Sequence, residues 1–230
     1  MTRAAMLKDE RGTTLMELTV GLAAGAVIFL ALTSLIIGSI HGTARVSARI
    51  DATQRARTVL TRLVEELHSA CVAPQVVPVQ VGSTGTLLSF IHQTGQGVAP
   101  VPIRSNISLV GTTLMQEDFQ SSGGSAPKWK FQEKPFVIKQ LMTNIAPTAP
   151  SSSIFSYYGY SEGKLATISA VPPLNEETAA RVVQVNIALT ASPLTTPVKD
   201  LHAPVSISDS AQFRLTPASY NKELASPPCQ

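Results

Sequence analysis

The sequence predicts an α+β protein in which a long N-terminal helix packs on an antiparallel β-sheet domain. All 16 prolines lie between Pro74 and Pro228, so the first 73 residues can form a helix without interruption. An uncharged run and then an amphipathic pattern occupy this proline-free part. The remainder contains short segments of alternating apolar and polar residues, and it is long enough to form one hydrophobic core.

A membrane-spanning segment is predicted between Leu18 and Ile40, where 23 consecutive residues carry no charge. At about 1.5 Å per residue, a helix of this length spans roughly 34 Å, slightly more than the hydrocarbon core of a bilayer. A cleaved secretory signal is the alternative, but its apolar part is only about 7 to 15 residues long. The length of the run therefore favours a helix that stays in the membrane.

From Thr43 onward the pattern is that of an amphipathic helix, and we expect one helix to continue from about Thr13 to Ala70. An apolar stripe on this helix is expected to cover one face of the sheet, while five arginines occupy other positions. The stripe consists of Val46, Ile50, Leu60, Leu63, Val64 and Leu67, and the arginines are Arg45, Arg49, Arg55, Arg57 and Arg62.

Seven later segments are predicted to form β-strands. Arg181–Thr190 alternates apolar and polar residues, as a half-buried strand does. Ile154–Tyr158 and Lys164–Ser169 flank a turn that contains Gly159 and Gly163, so we expect a hairpin there. The other four strands are predicted at Thr86–Ile91, Ile107–Met115, Trp129–Gln140 and Val205–Leu215, with loops at residues 121–127 and 147–153.

The composition gives no support for an enzyme. The net charge of +3 is too small to indicate a nucleic-acid partner by itself. The four histidines are scattered without the paired spacing of zinc ligands, and the sequence contains no Gly-x-Ser-x-Gly elbow and no complete dinucleotide-binding loop. We therefore expect no catalytic residue, no metal and no cofactor.

The boundary between the polar leader and the uncharged run carries a recognisable motif. A short basic leader ends in Gly12 and is followed by residues 13–18, Thr-Thr-Leu-Met-Glu-Leu. This segment resembles the cleavage and methylation site of prepilins, the precursors of type IV pilins and of type II secretion pseudopilins. The matching residues are Gly12, Thr14, Leu15, Glu17 and Leu18, whereas Thr13 stands where the family usually has Phe.

The resemblance implies a pilin-like fold in four parts. These are a leader peptide (1–12), a transmembrane helix segment (13–42), an amphipathic helix (43–73) and an extracytoplasmic β-rich head (74–230). Residues 74–230 resemble minor pilins and J-type pseudopilins through Phe155–Tyr158 followed by the strand from Arg181. The family therefore predicts a subunit that assembles into a filament through its helix.

The resemblance also assigns roles to residues around the cleavage site. It implies recognition of the leader through Lys8, Arg11 and Gly12, cleavage between Gly12 and Thr13, and N-methylation of Thr13. It further implies that Glu17 pairs with the Thr13 amine of a neighbouring subunit. An ionised carboxylate beside an apolar run costs free energy unless it is paired or lies near the membrane interface, which favours a paired role for Glu17. The alternative is that Glu17 only stabilises the start of the helix through the helix dipole.

As a function, the resemblance implies a minor type IV pilin-like structural subunit that initiates or caps a pilus. The alternatives are a J-type minor pseudopilin of type II secretion, or a competence pilin that binds DNA through the arginines between Arg45 and Arg62. The implied partners are prepilin peptidase, other pilins or pseudopilins, an inner-membrane platform protein and membrane lipid. The implied location is the inner membrane, crossed once with the N-terminus in the cytoplasm, and then the base or tip of a surface filament.

Cys71 and Cys229 are the only cysteines, so one intramolecular disulfide is possible. If the head lies outside the cytoplasm, oxidation would join the end of the helix to the last residues of the sequence. Two free thiols are the alternative.

Overall fold

The computed structural model describes residues 14–71, 77–94, 101–124, 128–194 and 204–213. The prediction of an α+β protein is confirmed, because a long N-terminal helix is followed by antiparallel β-sheets. The helices within these ranges are α1 (Leu15–His68) and α2 (Glu176–Ala180). The strands are β1 (Leu87–Thr94), β2 (Val101–Val110), β3 (Thr113–Gly123), β4 (Lys130–Phe131), β5 (Val137–Met142), β6 (Ile145–Pro147), β7 (Phe155–Ser161), β8 (Lys164–Ile168), β9 (Gln184–Ala191) and β10 (Val205–Gln212).

These strands form two sheets in which every pairing is antiparallel. Sheet 1 has the order β1-β2-β3-β4, and β5 also pairs with β3. Sheet 2 has the order β10-β9-β7-β8, and β6 also pairs with β9. In β9 every second residue is buried, which gives sheet 2 one side that faces the core. The predicted hairpin is present as β7 and β8, but Gly159 lies within β7, paired with Ala166, and the turn is formed by Glu162 and Gly163.

The chain divides into two compact units, one ending at Val46 and one beginning at Ser47. In the second unit, α1 contributes a buried stripe that joins the core residues of both sheets in one apolar cluster. The stripe has steps of three or four residues, which keeps its members on one side of the helix. It consists of Ala52, Ala56, Leu60, Leu63 and Leu67.

The predicted apolar stripe was partly wrong. Val46 and Ile50 are 58% and 50% exposed, whereas Ala52 and Ala56 are fully buried. Alanine is too weakly apolar to stand out in a hydropathy pattern, but its small side chain lets a helix backbone approach a sheet closely. The contact surface of α1 therefore begins with alanines, not with the larger residues that the sequence favoured.

Two strand predictions were also wrong. The segment 107–115 contains a turn at Gly111 and Thr112, which separates β2 from β3. Gly111 has a φ of 62°, a conformation that glycine adopts without steric cost. The segment 129–140 is interrupted between β4 and β5, where Pro135 cannot donate a ladder hydrogen bond.

Smaller differences concern the loops and short elements. Strand β3 extends to Gly123, into the first predicted loop, and the sequence pattern carried no signal for β6. It also gave none for α2, a single turn that begins with a capping box between Asn175 and Thr178.

We expect Leu63→Ala to lower the free energy of unfolding by about 2 to 5 kcal/mol, because it removes a fully buried side chain from the contact between α1 and the sheets. Ile50→Ala on the same helix should change it by only about 0.5 kcal/mol or less, because Ile50 is half exposed. Thermal unfolding of the detergent-solubilised full chain would measure both values. Equal losses for the two variants would contradict the observed stripe.

Candidate functional site

The first half of α1 presents apolar side chains in all directions. Every large apolar residue from Leu15 to Ile40 is exposed, from 49% at Ile37 to 81% at Leu15. The most apolar 18-residue window has a mean hydropathy of 2.5, and none of it is buried. Burying one such side chain is worth about 1.5 to 3 kcal/mol, so this surface requires an apolar environment. Among the described residues, α1 is the one candidate membrane-spanning helix.

Two threonine hydroxyl groups in this half are satisfied within the helix. Thr19 Oγ1 donates to Met16 O at 2.9 Å, and Thr33 Oγ1 donates to Phe29 O at 2.8 Å. Threonine is tolerated in an apolar environment when its hydroxyl bonds to a carbonyl of the preceding turn, because no water is then needed.

Glu17 lies in the first turn of α1, where it is the only acidic residue. Its backbone N donates to Thr14 O at 2.9 Å and to Thr14 Oγ1 at 3.3 Å, which places Thr14 at the N-cap and Glu17 at the third helical position. A carboxylate here is stabilised by the positive end of the helix dipole. The Glu17 side chain is exposed and forms no ion pair with any described residue.

The predicted leader and cleavage residues, Lys8, Arg11, Gly12 and Thr13, lie outside the described residues. The structure therefore brings together only Thr14 and Glu17 from the motif. The assignments of cleavage, methylation and leader recognition remain predictions from the sequence.

The arginines of α1 fall into two groups. Arg55 Nε binds Asp51 Oδ2 at 3.0 Å, and Arg62 Nε binds Glu66 Oε1 at the same distance. Arg45, Arg49 and Arg57 are exposed and form no ion pair with the residues that the structure describes. Three of the five arginines are therefore available to solvent or to a partner.

Cys71 follows the end of α1 and is completely buried. It is disulfide-bonded, and its backbone N donates to Ile91 O at 2.9 Å. Cys229 lies outside the described residues, so its pairing with Cys71 stays a prediction.

A buried polar network that the sequence did not predict connects sheet 1 with α1. Asp118 accepts hydrogen bonds from Ser105 Oγ at 2.6 Å, from Gln116 Nε2 at 2.9 Å and from Lys139 Nζ at 3.0 Å. Gln116 Nε2 also donates to Glu66 Oε2 on α1 at 2.9 Å. The network thus fixes the position of the helix relative to β3.

His92 extends this network from β1. Its Nε2 lies 2.9 Å from Ser105 Oγ, and because Ser105 donates its own proton to Asp118, His92 Nε2 is the donor in this contact. Ser105 is fully buried and stands between the other two residues. A nucleophilic serine instead requires the histidine in the middle position and an accessible hydroxyl. The arrangement is therefore suited to stabilising the fold.

Burial and hydrogen bonding shift the pKa values of two members. Burial lowers the pKa of His92 below its ordinary value of 6.5, although the carboxylates of Glu66 and Asp118 oppose this. Burial raises the pKa of Asp118, but hydrogen bonds from Ser105, Lys139 and Gln116 outweigh it and bring this pKa below 3.8. Near neutral pH, His92 is neutral and Asp118 is ionised.

A sequence signal for this network exists in the strand pattern. On the side of sheet 1 that faces α1, Leu88 and Phe90 are followed by His92, and Leu114 is followed by Gln116 and Asp118. Polar residues that continue an inward-facing apolar row must be paired, because an unpaired buried polar group is costly.

Beside the network, a cavity of about 460 Å³ is lined by charged and polar residues. The lining carries both positive and negative groups, and among the described residues no group of three or more His, Cys, Asp or Glu side chains could hold a metal ion. Of the histidines, His92 is buried, His41 and His68 are exposed, and His202 lies outside the described residues.

The comparisons with known proteins do not identify a family. No protein-family model matches the chain, and no curated protein matches it significantly.

We expect acidification to destabilise the head. Because His92 binds a proton more weakly in the folded protein than in the unfolded chain, the unfolded state is favoured as the pH falls below about 6.5. Asp118 adds a second loss of stability as the pH falls below about 3.8.

His92→Gln keeps a hydrogen-bond donor for Ser105 but does not titrate, so it should flatten the first of these two transitions. Thermal unfolding of the full chain in detergent, measured from neutral pH to about pH 5, would test this. An unchanged pH dependence in His92→Gln would show that another group is responsible.

Proposed function

We propose that this chain is a minor, pilin-like structural subunit that is cleaved after Gly12 and enters a pilus through α1. This proposal rests on the change from exposed to packed apolar side chains along α1. Its first half exposes apolar side chains on all sides, and its second half packs on two sheets through Ala52 to Leu67. A helix that served only as a cleaved signal would not continue into the core of the domain that follows it.

The position of Glu17 supports assembly through the first half of α1. Its carboxylate is exposed at the start of an apolar surface and has no ion-pair partner among the described residues. Surrounded by lipid or by neighbouring helices, a charged group needs a counter-ion. The amine created by cleavage before Thr13 would supply one, four residues away in sequence or on a neighbouring subunit.

The same features suit a J-type pseudopilin, since both kinds of subunit use this type of helix. Capture of DNA by the arginines of α1 has less support, because Arg55 and Arg62 are bound to carboxylates of their own helix and only Arg45, Arg49 and Arg57 lack an ion pair among the described residues. In both alternatives the protein would still be processed at Gly12.

Expression with a prepilin peptidase should produce a chain that begins at Thr13 and carries the added mass of one methyl group. Gly12→Val should leave the full chain uncut, because the side chain at the cleavage position no longer fits. Intact mass and N-terminal sequencing of membrane protein, with and without the peptidase, measure this. An uncut wild-type chain that remains in the membrane would contradict the proposed processing.

Glu17→Gln separates the two roles available to Glu17. Glutamine can replace glutamate in a capping box but carries no charge. We expect normal cleavage and membrane insertion of this variant, with loss of its incorporation into filaments, as measured by immunoblotting of sheared filaments. Met16→Leu, next to Glu17 and also exposed, serves as the matched control and should be incorporated. Normal incorporation of Glu17→Gln would contradict the pairing role and leave Glu17 with a role only at the start of the helix.

A further inference from the structure

Two arginines of α1 lie just beyond the uncharged run. Arg45 and Arg49 are exposed, and neither forms an ion pair with a residue that the structure describes. Residues 18–50 contain no Asp or Glu. The first carboxylate that follows is Asp51, which faces another side of the helix and is bound to Arg55 at 3.0 Å. Arg45 and Arg49 are therefore available to an anion outside the chain.

The helical repeat places the two arginines on one side of α1. They are four residues apart, which brings their Cβ atoms to about 5 to 6 Å from each other. The Cα–Cβ bonds of a helix tilt toward its N-terminus, so both side chains begin in the direction of the uncharged run. The two guanidinium groups can thus serve one zone beside the end of this run.

The distance of this zone from the uncharged run fits the headgroup region of a bilayer. At about 1.5 Å per residue, Arg45 lies about 7.5 Å and Arg49 about 13.5 Å beyond Ile40, the last residue of the run. On each side of a bilayer, the headgroup region is about 5 to 7.5 Å thick. With the run in the hydrocarbon core, Arg45 lies at the outer limit of the headgroups, and the long side chain of Arg49 can extend back to them.

The same two arginines are the residues that can anchor α1 at this end of the run. Transmembrane helices are held in position by Trp, Tyr, Lys and Arg side chains at the membrane surface. Helix α1 contains no Trp, no Tyr and no Lys, and its first arginine is Arg45. The position of the helix on this side of a bilayer therefore depends on its arginines.

We propose that Arg45 and Arg49 bind the phosphate groups of anionic phospholipids, in the leaflet next to Ile40. A guanidinium group can donate two parallel hydrogen bonds to a phosphate, which the ammonium group of lysine cannot do. An anionic phospholipid also carries a net negative charge that a zwitterionic one lacks, so charge complementarity favours it. Each arginine at such a surface increases the affinity about fivefold.

This inference rests on α1 spanning a membrane, as in the proposed function, but it does not depend on cleavage at Gly12 or on assembly. The contacts form only while α1 lies in a bilayer, so they hold the subunit there. A membrane rich in anionic lipid should therefore retain the subunit more strongly than a zwitterionic membrane.

Spin-labelled lipids test this binding in the full chain, prepared without prepilin peptidase. The chain is reconstituted in phosphatidylcholine vesicles that contain a trace of spin-labelled phosphatidylglycerol or spin-labelled phosphatidylcholine. The motionally restricted fraction of each label gives the relative affinity of the protein for that lipid. We expect a preference for phosphatidylglycerol that Arg45→Gln combined with Arg49→Gln abolishes. Each single change should lower the preference by up to about fivefold.

Arg57→Gln is the matched control for these variants. Arg57 is also exposed and has no ion pair among the described residues, but it lies about 26 Å beyond Ile40, outside the headgroup region. The preference for phosphatidylglycerol should therefore remain in this variant. An equal loss in Arg57→Gln would show that only the total charge matters, and an unchanged preference in the double variant would exclude Arg45 and Arg49. Either result would overturn the proposal.

Inorganic phosphate distinguishes a lipid site from a site for free phosphate. At the same ionic strength, phosphate should reduce the preference no more than chloride does, since both then act only by screening. A larger reduction by phosphate would overturn the assignment to lipid. Loss of the double variant from sheared filaments with an unchanged lipid preference would instead assign the two arginines to a protein partner.

Extraction of the vesicles at alkaline pH separates failure of this inference from failure of the proposed function. The wild-type chain and all variants should stay with the lipid, because α1 is unchanged between Leu18 and Ile40. A wild-type chain that is extracted would contradict the spanning of the membrane and both proposals with it. A chain that stays inserted without preferring phosphatidylglycerol would overturn only the lipid site.

Discussion

Close packing of the second half of α1 against two sheets is the constraint on which the rest of the head depends. A helix can approach a sheet closely only where its contacting side chains are small or fit between those of the sheet. Ala52 and Ala56 meet this requirement at one end of the contact, and Leu60, Leu63 and Leu67 continue the buried stripe. Because these residues share one core with both sheets, the position of the helix also fixes the two sheets relative to each other. Two hydrogen bonds also link α1 to the sheets. Gln116 of sheet 1 donates to Glu66 of α1, and Arg55 of α1 donates to the carbonyl of Ser192, just after β9.

A single helix thus meets two different requirements along its length. Up to Ile40 its side chains are apolar on every side and its threonines bond to their own backbone, which suits a lipid environment or a bundle of similar helices. From Ala52 its buried apolar residues form one stripe, and most exposed positions are charged or polar. The filament subunit proposed above requires this division, since one half must bind neighbouring helices while the other holds a folded head.

Buried polar groups lie on both sides of sheet 1. Toward α1, Asp118 has three donors and His92 has Ser105, so the cost of burying these groups is offset by hydrogen bonds. On the opposite side of the sheet, Arg104, Gln93 and Asn106 have buried atoms with no such partner. Toward α1, Gln116 Oε1 is likewise buried without a hydrogen-bond partner, so buried polar atoms without partners occur on both sides of the sheet.

The sequence by itself determined the α+β class, the long helix, its apolar first half and most strands, because these features depend on local periodicity and on proline positions. It did not determine which residues of α1 form the contact, since Ala52 and Ala56 carry little hydropathy signal, nor that Gly111 divides one apolar segment into two strands. The tertiary structure alone decided that His92, Ser105, Asp118 and Glu66 meet, and that Ile91, Arg104 and Phe119 form one row. These residues come from separate strands and from α1, and only the register of sheet 1 and the position of the helix bring them together.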